Sequence, residues 1–224
     1  MATTSILSNP YNQVGQMHND GMQFVIGNIN PSSTIEQIVQ SCASYVQKLS
    51  DNSSSEAYVN WNAFISESIN RTEKLQLSGM IDWLQQKDLI TKEGIDFINS
   101  INDLSDDLSL SEVVSKIDSI ENDILSSKMS VEQQSYPLLY AAVAKYSAQY
   151  GELQETSSNS KWKEIKTARK FSWPWKKDAE GAISGAIGGA IGGIGGGLAG
   201  VGIGALLGAI GGGLGSSIAA IFIK

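Results

Sequence analysis

Between Ala182 and Ile223 the chain runs for 42 positions without a charged residue. This run constrains the fold more than any other feature. Glycine sets its character, because 17 of the 23 glycines fall between Gly181 and Gly215. Gly181, Gly185, Gly189, Gly193 and Gly197 form one four-residue series. Gly188, Gly192, Gly196, Gly200, Gly204, Gly208 and Gly212 form a second, which Ser216 extends. Four-residue spacing gathers small residues on one helix face, where a second backbone can approach closely. Ile183, Ile187, Ile191, Leu198, Ile203, Leu206, Leu207, Ile210 and Leu214 supply apolar bulk.

Length narrows the options. At about 1.5 Å per residue the run would reach roughly 60 Å as one helix, and a bilayer core is about 30 Å thick. A hairpin of two spans fits this arithmetic. One longer helix with a re-entrant or interfacial piece also fits. Each glycine costs a helix about 1 kcal/mol relative to alanine, so 17 of them oppose a lone helix in water by on the order of 15 kcal/mol. Lipid reverses the balance, because unsatisfied backbone groups there cost several kcal/mol each and a helix satisfies its own. The expectation is a segment that is not helical alone in water and is helical within a membrane.

Charge is segregated along the chain. Residues 1–160 hold 8 Lys/Arg against 20 Asp/Glu, residues 161–177 hold 7 against one, and residues 178–224 hold one against two. An acidic body, a basic collar and a neutral tail therefore follow one another. The collar interleaves Trp162, Phe171, Trp173 and Trp175 with Lys170, Lys176 and Lys177. Aromatic rings of this kind favour the membrane–water interface. Each basic residue near an anionic leaflet adds about 1 kcal/mol of attraction. These seven residues are the expected membrane-interface set. Pro174 prevents a continuous helix across the collar.

The body reads as all-α. Ser33 and Glu36 have capping-box spacing, as do Ser109 with Glu112 and Ser130 with Gln133. Thr91 is a candidate cap for a helix holding Ile95, Phe97, Ile98 and Ile101. Apolar residues recur at helical intervals after each start, and no alternating strand pattern is present. Residues 1–32 read as an irregular arm, 33–153 as an acidic bundle of five or six helices, and 154–178 as the polar linker and collar. Residues 179–224 read as the insertion segment, a C-terminal glycine-zipper helical hairpin. A break is expected near Arg71. The start MATTSILSNPYNQVG has no basic n-region or apolar h-region. The expected location is a membrane; export by a route that needs no classical signal peptide, a trimmed leader and a cytosolic protein all fit this start.

The chemistry of sites is sparse. His18 is the only histidine and Cys42 the only cysteine. We therefore expect no Ser/His/Asp arrangement, no metal site, no cofactor and no enzyme. Asp103, Asp106, Asp107 and Glu112 have the wrong spacing for a calcium loop and lack its central glycine, so they read as a helix-capping acidic loop. Lys and Trp interleave in the collar as they can in a nucleic-acid site, but the chain is acidic overall and the collar leads into an apolar tail. We expect no nucleic-acid partner.

The run from Gly181 to Leu214 resembles the glycine-zipper segments of membrane-associated proteins. It is also similar to the GxxxG-rich transmembrane peptides of two-peptide bacteriocins and to glycine-rich fusion peptides. The resemblance covers about a fifth of the chain. It implies a lipid membrane as partner, insertion, self-association through the zipper and, in some cases, permeabilisation. The acidic bundle, which short bacteriocins lack, would keep the protein soluble, bind a protein partner or receptor, or shelter the tail before release. Two other readings stay open: an anchoring or assembly scaffold that uses the zipper for helix packing, and an effector or cargo of a secretion machine.

Overall fold

The computed structural model describes residues 8–51, 60–157, 161–169, 173–192 and 197–222. The helices are α1 (Asn12–Asn28), α2 (Ile35–Asp51), α3 (Trp61–Gln86), α4 (Lys92–Asn102), α5 (Leu110–Ser126), α6 (Val131–Thr156), α7 (Lys161–Arg169), α8 (Trp175–Gly192) and α9 (Gly197–Phe222). The fold is all-α, and no strand occurs among the described residues.

Local chemistry explains most boundaries. Asn60, Thr91, Ser109 and Ser130 each accept a hydrogen bond from the backbone N–H three residues on. Ser109 with Glu112 and Ser130 with Gln133 complete reciprocal capping boxes, and each satisfies two N–H groups that the first turn leaves free. The box expected at Ser33 and Glu36 forms one residue later. Gln37 N–H donates to Thr34 Oγ1 at 3.3 Å, and Thr34 N–H donates to Gln37 Oε1 at 3.0 Å. Ser33 Oγ instead accepts from Asn30 N–H at 3.0 Å and helps form the preceding turn. The break in α3 lies at Gln76 (φ 53°, ψ 178°) and not near Arg71. Residues 52–59, which include the expected start of that helix, lie outside the described residues.

The N-terminal arm is not irregular. Residues 12–28 form α1, which buries Val14, His18, Met22, Val25 and Ile26. Its Asn and Gly content hides this from a propensity reading. Gly15 and Gly21 are there for close approach: a Cβ at Gly15 would lie 2.7 Å from Ala142 O, and one at Gly21 would lie 2.7 Å from Leu214 Cδ1. Tertiary contact overrides the low helix propensity of these residues.

The apolar C-terminal helices form the centre of the molecule. α8 and α9 pack side by side, and α1, α2, α3 and α6 pack around them. α4 and α5 pack on α6. The main hydrophobic core runs without a break from Val14 to Ile221, and a smaller cluster gathers Ile124, Met129 and Leu138. The boundary drawn at residue 179 on charge and composition therefore does not separate two packing units. Within this bundle α8 and α9 are helical. Neighbouring helices exclude water from them much as lipid would, so the glycine penalty is met by burial and dispersion contacts.

Candidate functional site

Three close approaches define the α8–α9 contact. A Cβ built on Gly185 would lie 2.7 Å from the carbonyl carbon of Gly208 and nearer still to its oxygen. One on Gly189 would lie 2.7 Å from the carbonyl carbon of Gly204, and one on Gly212 would lie 2.7 Å from Gly185 Cα. Gly181 meets Gly212 and Ser216 in the same way. The order of these pairs makes the helices antiparallel. The two glycine series thus face one another: Gly181, Gly185 and Gly189 from the first meet Gly204, Gly208 and Gly212 from the second. Gly188 is only partly covered. Gly192, Gly197 and Gly200 have helical backbone, and Gly193 and Gly196 lie outside the described residues. The stretch Gly204–Ile221 of α9 is long and apolar enough to cross a membrane, and most of it is buried.

The collar is built differently from the expected interface set. Trp162, Trp173 and Trp175 are all buried. The Trp173 ring lies 4.6 Å from Trp162 and 5.5 Å from Tyr150, centroid to centroid. A Cβ at Gly151 would lie 2.6 Å from Trp173 Cγ, so the ring rests on that glycine. α7 turns Trp162 and Ile165 inward and Lys161, Lys163 and Glu164 outward. Lys176 Nζ donates to Leu104 O at 2.7 Å and pairs with Asp106 at 2.8 Å. The acidic loop thus fixes the entrance to α8. Lys177 pairs with Glu180 at 2.6 Å, and Lys170 and Phe171 lie outside the described residues. The tryptophans are core residues because a ring of that size gains more from full burial beside α6 than from partial exposure. Trp173→Ala is expected to cost about 3–5 kcal/mol, measured by urea unfolding. A tryptophan serving only a membrane surface would leave stability unchanged.

Composition concealed a buried polar node. Asp178, in the first turn of α8, is fully buried. Ser147 of α6 donates to its Oδ2, and Ser217 of α9 donates to its Oδ1. Trp173 Nε1–H donates to Ser147 Oγ at 2.8 Å. His18 of α1, also fully buried, places Nε2 3.8 Å from Asp178 Oδ2 and 3.4 Å from Ser217 Oγ. Burial pushes the Asp178 carboxyl up to about 7, against the lowering effect of the two serine hydroxyls. Burial pulls the His18 imidazole down to about 4, against the raising effect of Asn19 and of the Gly213 backbone. Desolvation disfavours the charged form of each group.

Serine, histidine and aspartate therefore do meet, contrary to the expectation from a single histidine. The arrangement is not that of a nucleophile with its base. Carboxylate and hydroxyl both face Nε2, while Nδ1 faces Asn19 Oδ1 at 3.4 Å. In a relay the carboxylate holds the opposite ring nitrogen. All three residues are also closed to solvent. The clues in the sequence were the lone histidine and the acid at the threshold of an uncharged run. Among the described residues no group of three or more His, Cys, Asp or Glu side chains is placed to hold a metal ion.

No protein-family model, no curated protein and no solved structure matches the chain.

Proposed function

We propose that this is a membrane-active protein, bacteriocin-like or toxin-like, that stores its insertion segment as the core of a closed helical bundle and delivers it by opening. One observation carries this reading. The stretch of α9 that is long and apolar enough to cross a membrane, Gly204–Ile221, is mostly buried where α9 packs among α1, α2, α3 and α8. Those helices give α9 the apolar surroundings that a bilayer also offers. The exposed lysines Lys163 and Lys177 attract the protein to anionic headgroups. After opening, the glycine faces either stay paired within one chain or pair between copies, which is the step from a hairpin to an oligomer or pore.

Leu206 separates the two fates of α9. It is 40% exposed in the closed form and lies near the middle of α9. Leu206→Lys is expected to change folding stability by less than about 1 kcal/mol, yet to cost about 3 kcal/mol inside a bilayer. Dye release from phosphatidylglycerol vesicles is expected to fall at least tenfold in this variant at unchanged stability. Equal release by both proteins would refute insertion of α9.

A second reading has its own support. The glycine faces are already satisfied within the chain, as in an assembly or anchoring scaffold that uses them only for packing. Co-flotation of the wild-type protein with vesicles, without release, would favour it.

A further inference from the structure

We propose that the buried node of Asp178, Ser147, Ser217 and His18 is the latch that holds α8 and α9 in the bundle, and that its rupture is the event that frees them. The proposal rests on the reading of α8 and α9 as a stored insertion segment.

Position is the first argument. The node joins α1, α6, α8 and α9 at one point, at the end of the α8–α9 pair where the uncharged run begins. Elsewhere the contacts of α9 with α1, α2 and α3 include apolar packing. Leu214 lies against Gly21, Gly211 against Val46 and Ile65, and Gly215 against Ile65 and Ile69. Such contacts are non-directional and can be exchanged for lipid contacts with little change in free energy. A buried carboxyl cannot be exchanged in that way. Within the bundle it has two hydroxyl donors, and departure of α8 and α9 removes the one from Ser147. α8 and α9 therefore can leave only after Asp178 has parted from Ser147.

Asymmetry is the second argument. Ser217 and Asp178 both belong to the departing pair, while Ser147 and His18 belong to helices that stay. Gly213 O lies 2.9 Å from Ser217 Oγ within α9, so the single hydroxyl proton has an alternative acceptor on its own helix after release. Asp178 sits outside the uncharged run and returns to water at its threshold beside Lys176 and Lys177. Within the node, the bonds that must break are those from α8 and α9 to α6 and α1, and the groups left behind can be hydrated once the bundle opens.

A second buried polar cluster gives an internal comparison. Lys145 pairs with Glu121, and Asn9 Nδ2–H donates to Glu121 Oε1 at 2.6 Å and to Leu138 O at 2.8 Å. It ties the N-terminal segment to α5 and α6, and none of these bonds reaches α8 or α9. If any buried polar loss loosened the core, the two clusters would behave alike.

Amide hydrogen exchange on the full chain tests the latch without any membrane. In Ser147→Ala/Ser217→Ala, exchange across residues 175–222 is expected to rise at least tenfold, with α4 and α5 unchanged. Glu121→Gln is expected to raise exchange in α5 and the N-terminal segment and to leave 175–222 protected. Uniform acceleration in the double variant, no acceleration, or an equal effect of Glu121→Gln on 175–222 would each overturn the proposal. Should the double variant fail to fold, Ser147→Ala alone carries the same comparison. Dye release from phosphatidylglycerol vesicles supplies the second arm, with a several-fold rise expected in the double variant. Selective exchange with unchanged release would leave the latch standing and remove the membrane reading. Exchange without selectivity would remove the latch whatever the vesicles show.

Discussion

Gly185→Ala is expected to lower folding stability by about 3 kcal/mol or more, although alanine is the better helix former. The favourable part of the change is about 1 kcal/mol of helix propensity. The unfavourable part is steric. The new Cβ would overlap the carbonyl of Gly208 and lie 2.9 Å from Gly212 Cα. Those are backbone atoms of a helix, and no side-chain rotation relieves the clash. α8 and α9 must move apart, and overpacking of this kind typically costs 1–3 kcal/mol or more. Dispersion contacts along both glycine faces are lost as well. Gly27→Ala is the control. Gly27 lies in the last turn of α1, and a Cβ there would meet nothing within 4 Å. It is expected to stabilise by about 0.5 kcal/mol. Chemical denaturation of both variants checks the pair of signs. If Gly185→Ala were neutral, the close approach of α8 to α9 would be refuted.

The second large effect concerns pH, and it is visible only in variants. A buried histidine with a lowered pKa stabilises the closed form above its ordinary value of 6.5. That contribution is lost as pH falls toward about 4, because the open form takes up the proton first. A buried aspartate with a raised pKa does the opposite. Its contribution is full below 3.8 and is lost as pH rises through about 7. Between about pH 4 and 6.5 the closed pair keeps one proton on Asp178, and the open pair keeps one on His18. Proton uptake balances, so the wild-type node adds almost no pH dependence in that window. Removing either partner exposes the other. From pH 7.5 to 4.5, the stability of Asp178→Asn is expected to fall by about 2–3 kcal/mol and that of His18→Gln to rise by about 3 kcal/mol, while wild type changes by less than about 1 kcal/mol. Urea unfolding of the three proteins at both pH values measures this. Identical pH slopes would show that the two groups are not buried together.

Much of the fold was legible because it follows local rules. The caps at Thr91, Ser109 and Ser130 depend on side chains within three residues of the backbone they satisfy. Regular apolar spacing gave α2, α4 and α5 for the same reason. α1 was hidden because its glycines serve contacts with Tyr146, Ala142, Tyr45 and Leu214, which lie far away in sequence. The four-residue glycine spacing is a local pattern, whereas the approach of Gly185 to Gly208 and of Gly189 to Gly204 belongs to the tertiary fold. The sequence did not reveal that the same helices form the core. An uncharged glycine-rich run has the same composition whether lipid or protein covers it. The collar tryptophans are ambiguous in sequence for a related reason. A Trp beside Lys suits a membrane interface, and it equally suits a helix such as α7 that buries Trp162 and leaves Lys163 in water. The polar node was least legible, because residues 18, 147, 178 and 217 come together only through the tertiary fold.

The lone cysteine provides the most direct test of delivery by opening. Cys42 lies fully buried on α2, a helix that packs on α9, and burial pushes its thiol up to about 12. A thiol that is both protonated and covered reacts slowly with maleimide. In buffer, Cys42 of the wild-type protein is expected to remain unlabelled for hours. With phosphatidylglycerol vesicles, labelling is expected to accelerate at least a hundredfold and to keep pace with dye release. Release while Cys42 stays protected would contradict the account, as would vesicle-bound protein that never exposes it.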